Sequence, residues 1–253
     1  MMKTGFWKLY AEGNAYVVID EAAAVPSLLR WVTDPARGLG GDGLLLAEWR
    51  ADGEVGMRLF NRDGSVAPAC GDGARCLAAL AVHTGRVPAE GTVRVVSPGL
   101  TIEHRVVDRA TWRLSQRLEL PTDAVVGEDE TSTQVLLGTP HRVVFTSLAE
   151  VDAAAVAPAT ARAWAGGTNV MFTQILAPDL IEVLPWERGL GRTLGCATGA
   201  AAAAVAAGRR TGAVSAQCTV RQPGGTIHVT WGDGTLTMEG SVRFIAEGTV
   251  YAE

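Results

Sequence analysis

Two cysteines, Cys70 and Cys196, lie in repeated surroundings about half a chain length apart. Each follows an aromatic residue, a polar residue, an arginine and a stretch of seven residues, and each is followed after two residues by Gly-Ala. The two copies begin at Phe60 and Trp186. A thiolate can accept a proton and a thiol can return one. Two such groups on opposite faces of one carbon would invert its configuration, so the repeat predicts two-base proton transfer.

A predicted helix follows each cysteine, over about residues 73–84 and 199–207. Gly85 and Gly208 occupy the positions of helix terminators. The N–H groups and the dipole at a helix N-terminus favour negative charge, whether a thiolate or a bound carboxylate carries it. Two such helix ends at one substrate carboxylate would also stabilise the carbanion that forms beside it. The elements therefore favour acid–base chemistry next to a carboxylate.

The rest of the chain repeats one plan of strands and helices. Runs rich in β-forming residues at 15–20, 43–49 and 54–61 precede the first cysteine, and comparable runs precede the second. Such a repeat is typical of an internal duplication. We predict a first half over 1–113, completed by a C-terminal strand at 240–253, and a second half over 114–239, in an α/β fold of the α+β type.

Composition narrows the class of partner. The net charge is −5, and lysine and arginine form no clustered stripe, which argues against nucleic acid or an anionic membrane and leaves a small molecule as the expected partner. No apolar run is long enough to span a bilayer, and no signal peptide is apparent. Four cysteines without CxxC spacing or a histidine cluster indicate neither a disulfide scaffold nor a metal site. We expect reduced thiols in the cytoplasm, with Cys76 and Cys218 as packing residues.

Six segments carry a resemblance to a known family. FNRDGSVAPACGDGARC resembles the first active-site motif of the diaminopimelate epimerases, and ERGLGRTLGCATGA resembles the second. The segments KLYAEGNAYVVID, RGLGGDGLLL, GTPHRVVF and GGTNVMFTQI match further family segments in the same order. The resemblance implies two pseudo-symmetric halves, each a curved, mostly antiparallel sheet around a central helix, with the substrate in the cleft between them. It also implies a homodimer that needs neither pyridoxal phosphate nor a metal.

The resemblance assigns roles by motif position. Cys70 and Cys196 would be the two acid–base residues of an epimerase that converts LL- to meso-diaminopimelate. The distal amino acid end of the substrate would be held by Asn14, Asn61, Asn169 and Arg188. Glu187 and His141 would lie beside the reacting centre. The substrate carboxylate would be held by the N–H groups of Gly71, Asp72, Ala197 and Thr198.

Three positions depart from the family pattern. Asp72 replaces the usual Asn, and its carboxylate should disfavour a neighbouring thiolate unless the side chain turns away. Ala197 replaces a Gly, and Thr139 replaces an Asn expected to help hold the distal substrate end. These changes leave both cysteines in place. They leave open a relative that acts on another amino acid, such as a histidine racemase.

Other classes of function remain as alternatives. A dithiol redox protein would use Cys70 and Cys196 as a disulfide pair and would exchange no substrate proton. A non-catalytic binding protein could retain the fold, although the two intact motifs speak against it. The glycines over 38–43 match the dinucleotide-binding pattern GxGxxG only weakly. That motif requires a strand before it and a helix after it, whereas these glycines are followed by a predicted strand.

Overall fold

The computed structural model describes residues 2–252 except 21, 23, 24, 30 and 213–215. The chain divides into two compact units, one formed by residues 1–116 with 241–253 and the other by residues 117–240. Strands account for about half of the described residues in each unit, and helices for a smaller share. Among the described residues, no helix is long and apolar enough to cross a membrane.

Among the described residues up to Glu119, the chain forms eight strands and two α-helices, and the eighth strand crosses the boundary into the second unit. They are β1 Met2–Ala11, β2 Asn14–Ile19, α1 Val25–Leu28, β3 Gly43–Trp49, β4 Glu54–Asn61, β5 Val66–Ala67, α2 Gly71–His83, β6 Val93–Ser97, β7 Leu100–Asp108 and β8 Arg113–Glu119. A short 3₁₀ turn at Ala51–Gly53 precedes β4.

The second unit repeats this order. Its elements are β9 Val125–Glu128, β10 Ser132–Leu137, β11 Thr139–Phe145, α3 Ala153–Arg162, β12 Asn169–Ala177, β13 Leu180–Glu187, β14 Gly191–Arg192, α4 Ala197–Thr211, β15 Gln217–Gln222, β16 Gly225–Gly232 and β17 Thr235–Ser241. The last strand, β18 Arg243–Ala252, belongs to the first unit and pairs antiparallel with β1.

Strand pairing is the same in both units. In the first, β1 and β2 are antiparallel, β2 and β3 parallel, β3 and β4 antiparallel, β4 and β6 parallel, and β6 and β7 antiparallel. In the second, the pairs β10–β11, β11–β12, β12–β13, β13–β15 and β15–β16 follow the identical sequence of directions. This repetition confirms the predicted α+β fold with two similar halves.

Each unit has a buried helix packed on its strands. Helix α2 contacts β1, β2, β4, β6 and β7, and every residue from Gly71 to Val82 is buried. Helix α4 contacts six strands of the second unit, and its alanine run at 200–204 is fully buried. Helix α4 is apolar over this run, and α2 is mostly apolar apart from Asp72 and Arg75; small side chains let strands approach both helices closely. Both helices are therefore central to their units.

The predicted end of the second helix at Gly208 is wrong. Helix α4 continues through Gly208 to Thr211 and ends at Gly212, whose φ of 62° is the left-handed conformation of a C-cap. Arg209 and Arg210 lie in the last turn, where positive charge is favourable. Glycine costs only about 1 kcal/mol inside a helix, so Gly208 does not end one that is buried by packing.

Candidate active site

Cys70 is the N-cap of α2. Its backbone is extended, with φ −156° and ψ 115°, and its sulfur accepts a hydrogen bond from the Gly73 N–H at 3.3 Å. The Tyr16 hydroxyl lies 3.1 Å from the same sulfur. Cys70 is partly exposed, whereas the helix that follows it is buried. The sulfur thus lies at the positive end of a buried helix with two hydrogen-bonding neighbours, an arrangement that stabilises a thiolate.

Cys196 is the N-cap of α4 in nearly the same conformation, with φ −151° and ψ 110°. Its sulfur accepts a hydrogen bond from the Gly199 N–H at 3.4 Å and lies 3.7 Å from the Thr198 hydroxyl. Its backbone N–H donates to the Gln222 side-chain oxygen at 2.8 Å. The repeated sequence therefore forms the same local structure twice, with cysteine as the capping residue in both copies.

The glycine of each Gly-Ala pair is explained by this cap. A Cβ on Gly199 would lie 2.4 Å from the Met171 sulfur and 3.1 Å from the Cys196 sulfur. A Cβ on Gly73 would meet Leu45 at 3.2 Å and the Cys70 sulfur at 3.4 Å. Glycine at this position lets the backbone N–H approach the thiol, as the repeated motif requires.

A buried polar network lies at the start of α2. The Asn14 amide donates to the Asp72 carboxylate at 3.2 Å, and the Arg75 guanidinium lies 3.5 Å from that carboxylate. Arg75 is fully buried and also forms an ion pair with Glu12. The charge that Asp72 introduces is therefore partly compensated by Arg75, which Asp72 shares with Glu12. Burial raises the pKa of Glu12, and the nearby Arg75 opposes that rise.

Gln116 completes this network. Its side-chain oxygen accepts from Arg75 Nε at 2.9 Å, and its amide nitrogen donates to the Gly71 carbonyl at 2.8 Å. His104 lies 3.1 Å from the same amide nitrogen, and burial lowers the pKa of His104 to about 3. Sequence reasoning missed Glu12, Arg75 and Gln116, although a lone arginine in the apolar stretch after Cys70 was a signal for a buried ion pair.

Of the two predicted distal-end residues in the first unit, Asn14 belongs to this network, whereas Asn61 forms its side-chain hydrogen bond elsewhere. Asn61 is the last residue of β4, and its amide donates to the Ser65 hydroxyl at 3.0 Å. The predicted carboxylate-binding residues are the first two of each helix: Gly71 and Asp72 in α2, and Ala197 and Thr198 in α4. N–H groups at these positions point away from the helix body and are suited to an anion.

Thr139 connects the other predicted residues of the second unit. Its hydroxyl lies 3.1 Å from His141 Nε2 and accepts from the Asn169 amide at 3.5 Å. His141 and Asn169 are register partners on the parallel strands β11 and β12. Burial lowers the pKa of His141 to about 4, so its imidazole is neutral at pH 7. The substituted position is thus hydrogen-bonded within the group that sequence reasoning singled out.

Glu187 and Arg188 lie at the end of β13. The Asn169 side-chain oxygen accepts from the Arg188 backbone N–H at 2.9 Å, and the Arg188 guanidinium donates to the Gly166 carbonyl at 2.6 Å. Glu187 accepts from the Thr193 hydroxyl at 2.8 Å. Arg188 is exposed, so its guanidinium is accessible to an anionic ligand.

The remaining cysteines differ from this pair. All four cysteines are free thiols, and burial raises the pKa of Cys76 well above its ordinary value and that of Cys218 to about 11. Neither would be a thiolate at neutral pH. Within the described part of the chain, no group of three or more His, Cys, Asp or Glu side chains could hold a metal ion.

Comparison with known proteins gives consistent matches along the chain. The diaminopimelate epimerase family model matches residues 6–116 and 133–245. A diaminopimelate epimerase of Acidiphilium cryptum is 34% identical over 98% of this chain and 96% of its own length. One of Synechococcus sp. is 32% identical over 98% of both chains. The structure of a predicted epimerase from Pseudomonas aeruginosa covers 99% of this chain and 100% of its own, with a TM-score of 0.75 at 15% identity, a likeness of fold alone.

Proposed function

This chain belongs to the diaminopimelate epimerase family, and from that premise we propose that it inverts the α-carbon of an amino acid by two-base proton transfer between Cys70 and Cys196. It is an isomerase of the epimerase and racemase class. The observation that carries the proposed mechanism is the repeated cap, in which each cysteine sulfur accepts the N–H of the third residue after it at the start of a buried helix.

In the proposed step, one cysteine is a thiolate and the other a thiol. The thiolate removes the α-proton and becomes a thiol, and the electron pair of the broken C–H bond stays on the carbon as a carbanion. The second thiol then donates its proton to the opposite face and becomes the thiolate. One proton enters and one leaves, so the reaction needs neither oxidant nor cofactor.

The carbanion would be stabilised through the adjacent carboxylate. The first residues of α2 and α4 supply backbone N–H groups at positive helix ends, which suit a carboxylate that gains charge in the transition state. His141, with its neutral imidazole, would lie beside the reacting centre, as the family motifs place it. Glu187 would lie there too. We propose no pyridoxal phosphate and no metal for this step.

We propose LL- and meso-diaminopimelate as the substrate pair. The support is the name shared by the matched relatives, together with Asn14, Asn61, Asn169 and Arg188 at the motif positions for the distal amino acid end. Arg188 can bind a carboxylate with two hydrogen bonds, and asparagine offers both a donor and an acceptor. Thr139 replaces an Asn expected to help hold this end, so a change of substrate would be determined at this position.

The test is α-proton exchange in heavy water. Purified protein without pyridoxal phosphate or metal, kept under reducing conditions, should interconvert LL- and meso-diaminopimelate and incorporate deuterium at the α-carbon. A panel containing histidine and other amino acids is run in parallel. Exchange with another amino acid but not with diaminopimelate would correct the substrate and leave the mechanism. No exchange with any of them would contradict the two-base proposal and favour a redox or binding role.

Two cysteine variants test the roles of the thiols. Cys70→Ser and Cys196→Ser should each lower epimerisation by about a thousandfold or more, because a hydroxyl is a far weaker acid and base than a thiol at neutral pH. Cys76→Ala is the matched control on α2, since Cys76 is fully buried in the apolar core of the first unit and has a raised pKa. It should retain activity. An active Cys70→Ser enzyme would refute the assignment.

We also propose a homodimer in a cytoplasmic location, where reducing conditions would keep the thiols free. Light scattering on the purified protein measures its mass in solution against the 26.5 kDa of one chain. A monomeric mass would overturn the dimer and leave the chemistry untouched.

A further inference from the structure

Strand β2 contacts the start of α2 through two side chains on one face. Asn14 and Tyr16 are two residues apart, so both side chains point to the same side of the strand. Asn14 donates to Asp72, and the Tyr16 hydroxyl lies 3.1 Å from the Cys70 sulfur. Tyr16 is only 4% exposed, so its hydroxyl is held at the sulfur by packing. A phenol in this position can change the fraction of Cys70 that is ionised, by donating a hydrogen bond to the thiolate.

The strand registers show which residue of the second unit corresponds to Tyr16. Tyr16 pairs with Gly43, and the next residue of β3, Leu44, pairs with Phe60. In the second unit, His141 pairs with Asn169, and the next residue of β12, Val170, pairs with Trp186. Phe60 and Trp186 are the aromatic residues that open the two cysteine motifs. Tyr16 therefore occupies the position that His141 occupies in the second unit.

The two cysteines differ in their hydroxyl neighbours. Cys70 has a phenol at 3.1 Å, whereas Cys196 has the aliphatic hydroxyl of Thr198 at 3.7 Å. The N–H contacts are nearly equal, at 3.3 and 3.4 Å. A phenol is the more acidic hydroxyl and the stronger donor, and a hydrogen bond to an ionised sulfur is stronger than one to a neutral thiol. Among these contacts, the two sulfurs therefore differ more in their hydroxyl neighbours than in their N–H donors.

Charged groups near Cys70 act in both directions. Asp72 opposes a thiolate, and Arg75 favours it while pairing with both Asp72 and Glu12. Cys76 lies on the same helix and stays a thiol because burial raises its pKa. His104, beyond Gln116, is neutral at pH 7 because burial lowers its pKa to about 3. All these groups remain when only the Tyr16 hydroxyl is removed, so that change isolates the phenol.

We propose that Tyr16 is a positioning residue that donates its hydroxyl hydrogen to the Cys70 sulfur. In the resting enzyme Cys70 is then the thiolate and Cys196 the thiol. When a stereoisomer binds to the enzyme in this protonation state, Cys70 removes its α-proton. The inference rests on the proposed two-base function, but its contact and its test concern the thiol itself and do not require turnover.

The experiment compares Tyr16→Phe with the parent protein by alkylation with iodoacetamide from pH 5 to pH 10. Peptide mass mapping follows Cys70 and Cys196 separately. Loss of the phenolic donor should raise the pH midpoint of Cys70 alkylation by about one unit. At pH values below the midpoint, the thiolate fraction of Cys70 should then be about tenfold smaller. The Cys196 midpoint should not move. Tyr10→Phe makes the same chemical change on β1 and should move neither midpoint.

An unchanged Cys70 midpoint in Tyr16→Phe would overturn the proposal, and so would an equal shift at both cysteines. A fold defect is distinguished by thermal unfolding of the same sample and by the Cys196 midpoint. If the parent shows no α-proton exchange while the Cys70 shift is present, the proposed function fails and the Tyr16 contact stands. If exchange is present, the acid side of the kcat/KM profile should move with the Cys70 midpoint.

Discussion

Replacing Arg75 by methionine should strongly destabilise the first unit. Arg75 is fully buried on α2 and donates to Glu12 and to Gln116, with Asp72 at 3.5 Å. Methionine has a comparable length but no charge and no donor. The variant would leave two buried carboxylates without their cation and the Gln116 oxygen without its arginine donor.

The expected loss of stability follows from the buried groups that lose their partner. Removing one partner of a buried ion pair costs about 3–5 kcal/mol, because an uncompensated charge remains in a low-dielectric site. A protein of this kind is stable by only about 5–15 kcal/mol, so this is a large share of the free energy of unfolding. We expect a loss of about 3–5 kcal/mol at pH 7, measured by urea unfolding followed by circular dichroism.

The control is Arg58→Met on β4. Arg58 pairs with Glu48 at 2.9 Å, but the two side chains are 46% and 40% exposed, so solvent screens the pair. This variant should behave like an ordinary surface substitution. Comparison of the two variants separates the loss of a buried ion pair from the general effect of changing arginine to methionine.

Lower pH should partly rescue the Arg75 variant. Without the cation, the folded-state pKa of Glu12 should rise further above its ordinary value of 4.5, because burial and the nearby Asp72 raise it and the opposing effect of Arg75 is lost. A carboxyl with a raised folded pKa binds its proton more tightly in the folded state, so stability falls as pH rises through that window. The deficit should be smaller at pH 5 than at pH 7. A loss below about 1 kcal/mol at pH 7, or one no smaller at pH 5, would refute the argument.

Three further variants test the caps and the buried histidine. Gly199→Ala should lower activity and cost about 1–3 kcal/mol, because the new Cβ would meet the Met171 and Cys196 sulfurs; parent-like activity and stability would contradict this. Gly212→Ala should cost about 1 kcal/mol through its φ of 62° and leave activity unchanged, since no atom of the described residues lies within 4 Å of its added Cβ; unchanged urea stability would contradict the strain. His141→Gln should flatten the fall in stability below pH 6.5, because the unfolded state takes up a proton between pH 6.5 and about 4 while the folded state does not. That uptake contributes up to about 1.4 kcal/mol per pH unit, and parallel pH curves for parent and variant would refute it.

Local patterns in the sequence predicted much of this protein. Strands β3 and β4 match the predicted runs at 43–49 and 54–61, because a short run of β-forming residues bounded by turn-forming residues specifies a strand locally. The repeat around Cys70 and Cys196 predicted two helix starts with a thiol at each. Caps, turns and periodicity act within one or two turns of chain, so their signals can be found in a single sequence. The substituted position Thr139 was likewise identified from sequence alone.

Tertiary structure alone determined what surrounds those thiols. Tyr16 reaches Cys70 across 54 positions, and Arg75 reaches Glu12 across 63, because strand register and helix packing bring them together. The sequence indicated that Asp72 would disfavour a thiolate unless its side chain turned away, and the structure places that carboxylate on Asn14 and Arg75. The predicted helix end at Gly208 failed for the same reason, since burial of α4 outweighs the weak helix propensity of one glycine. Local sequence thus determined where the thiols lie, and long-range packing determined which groups adjust their charge.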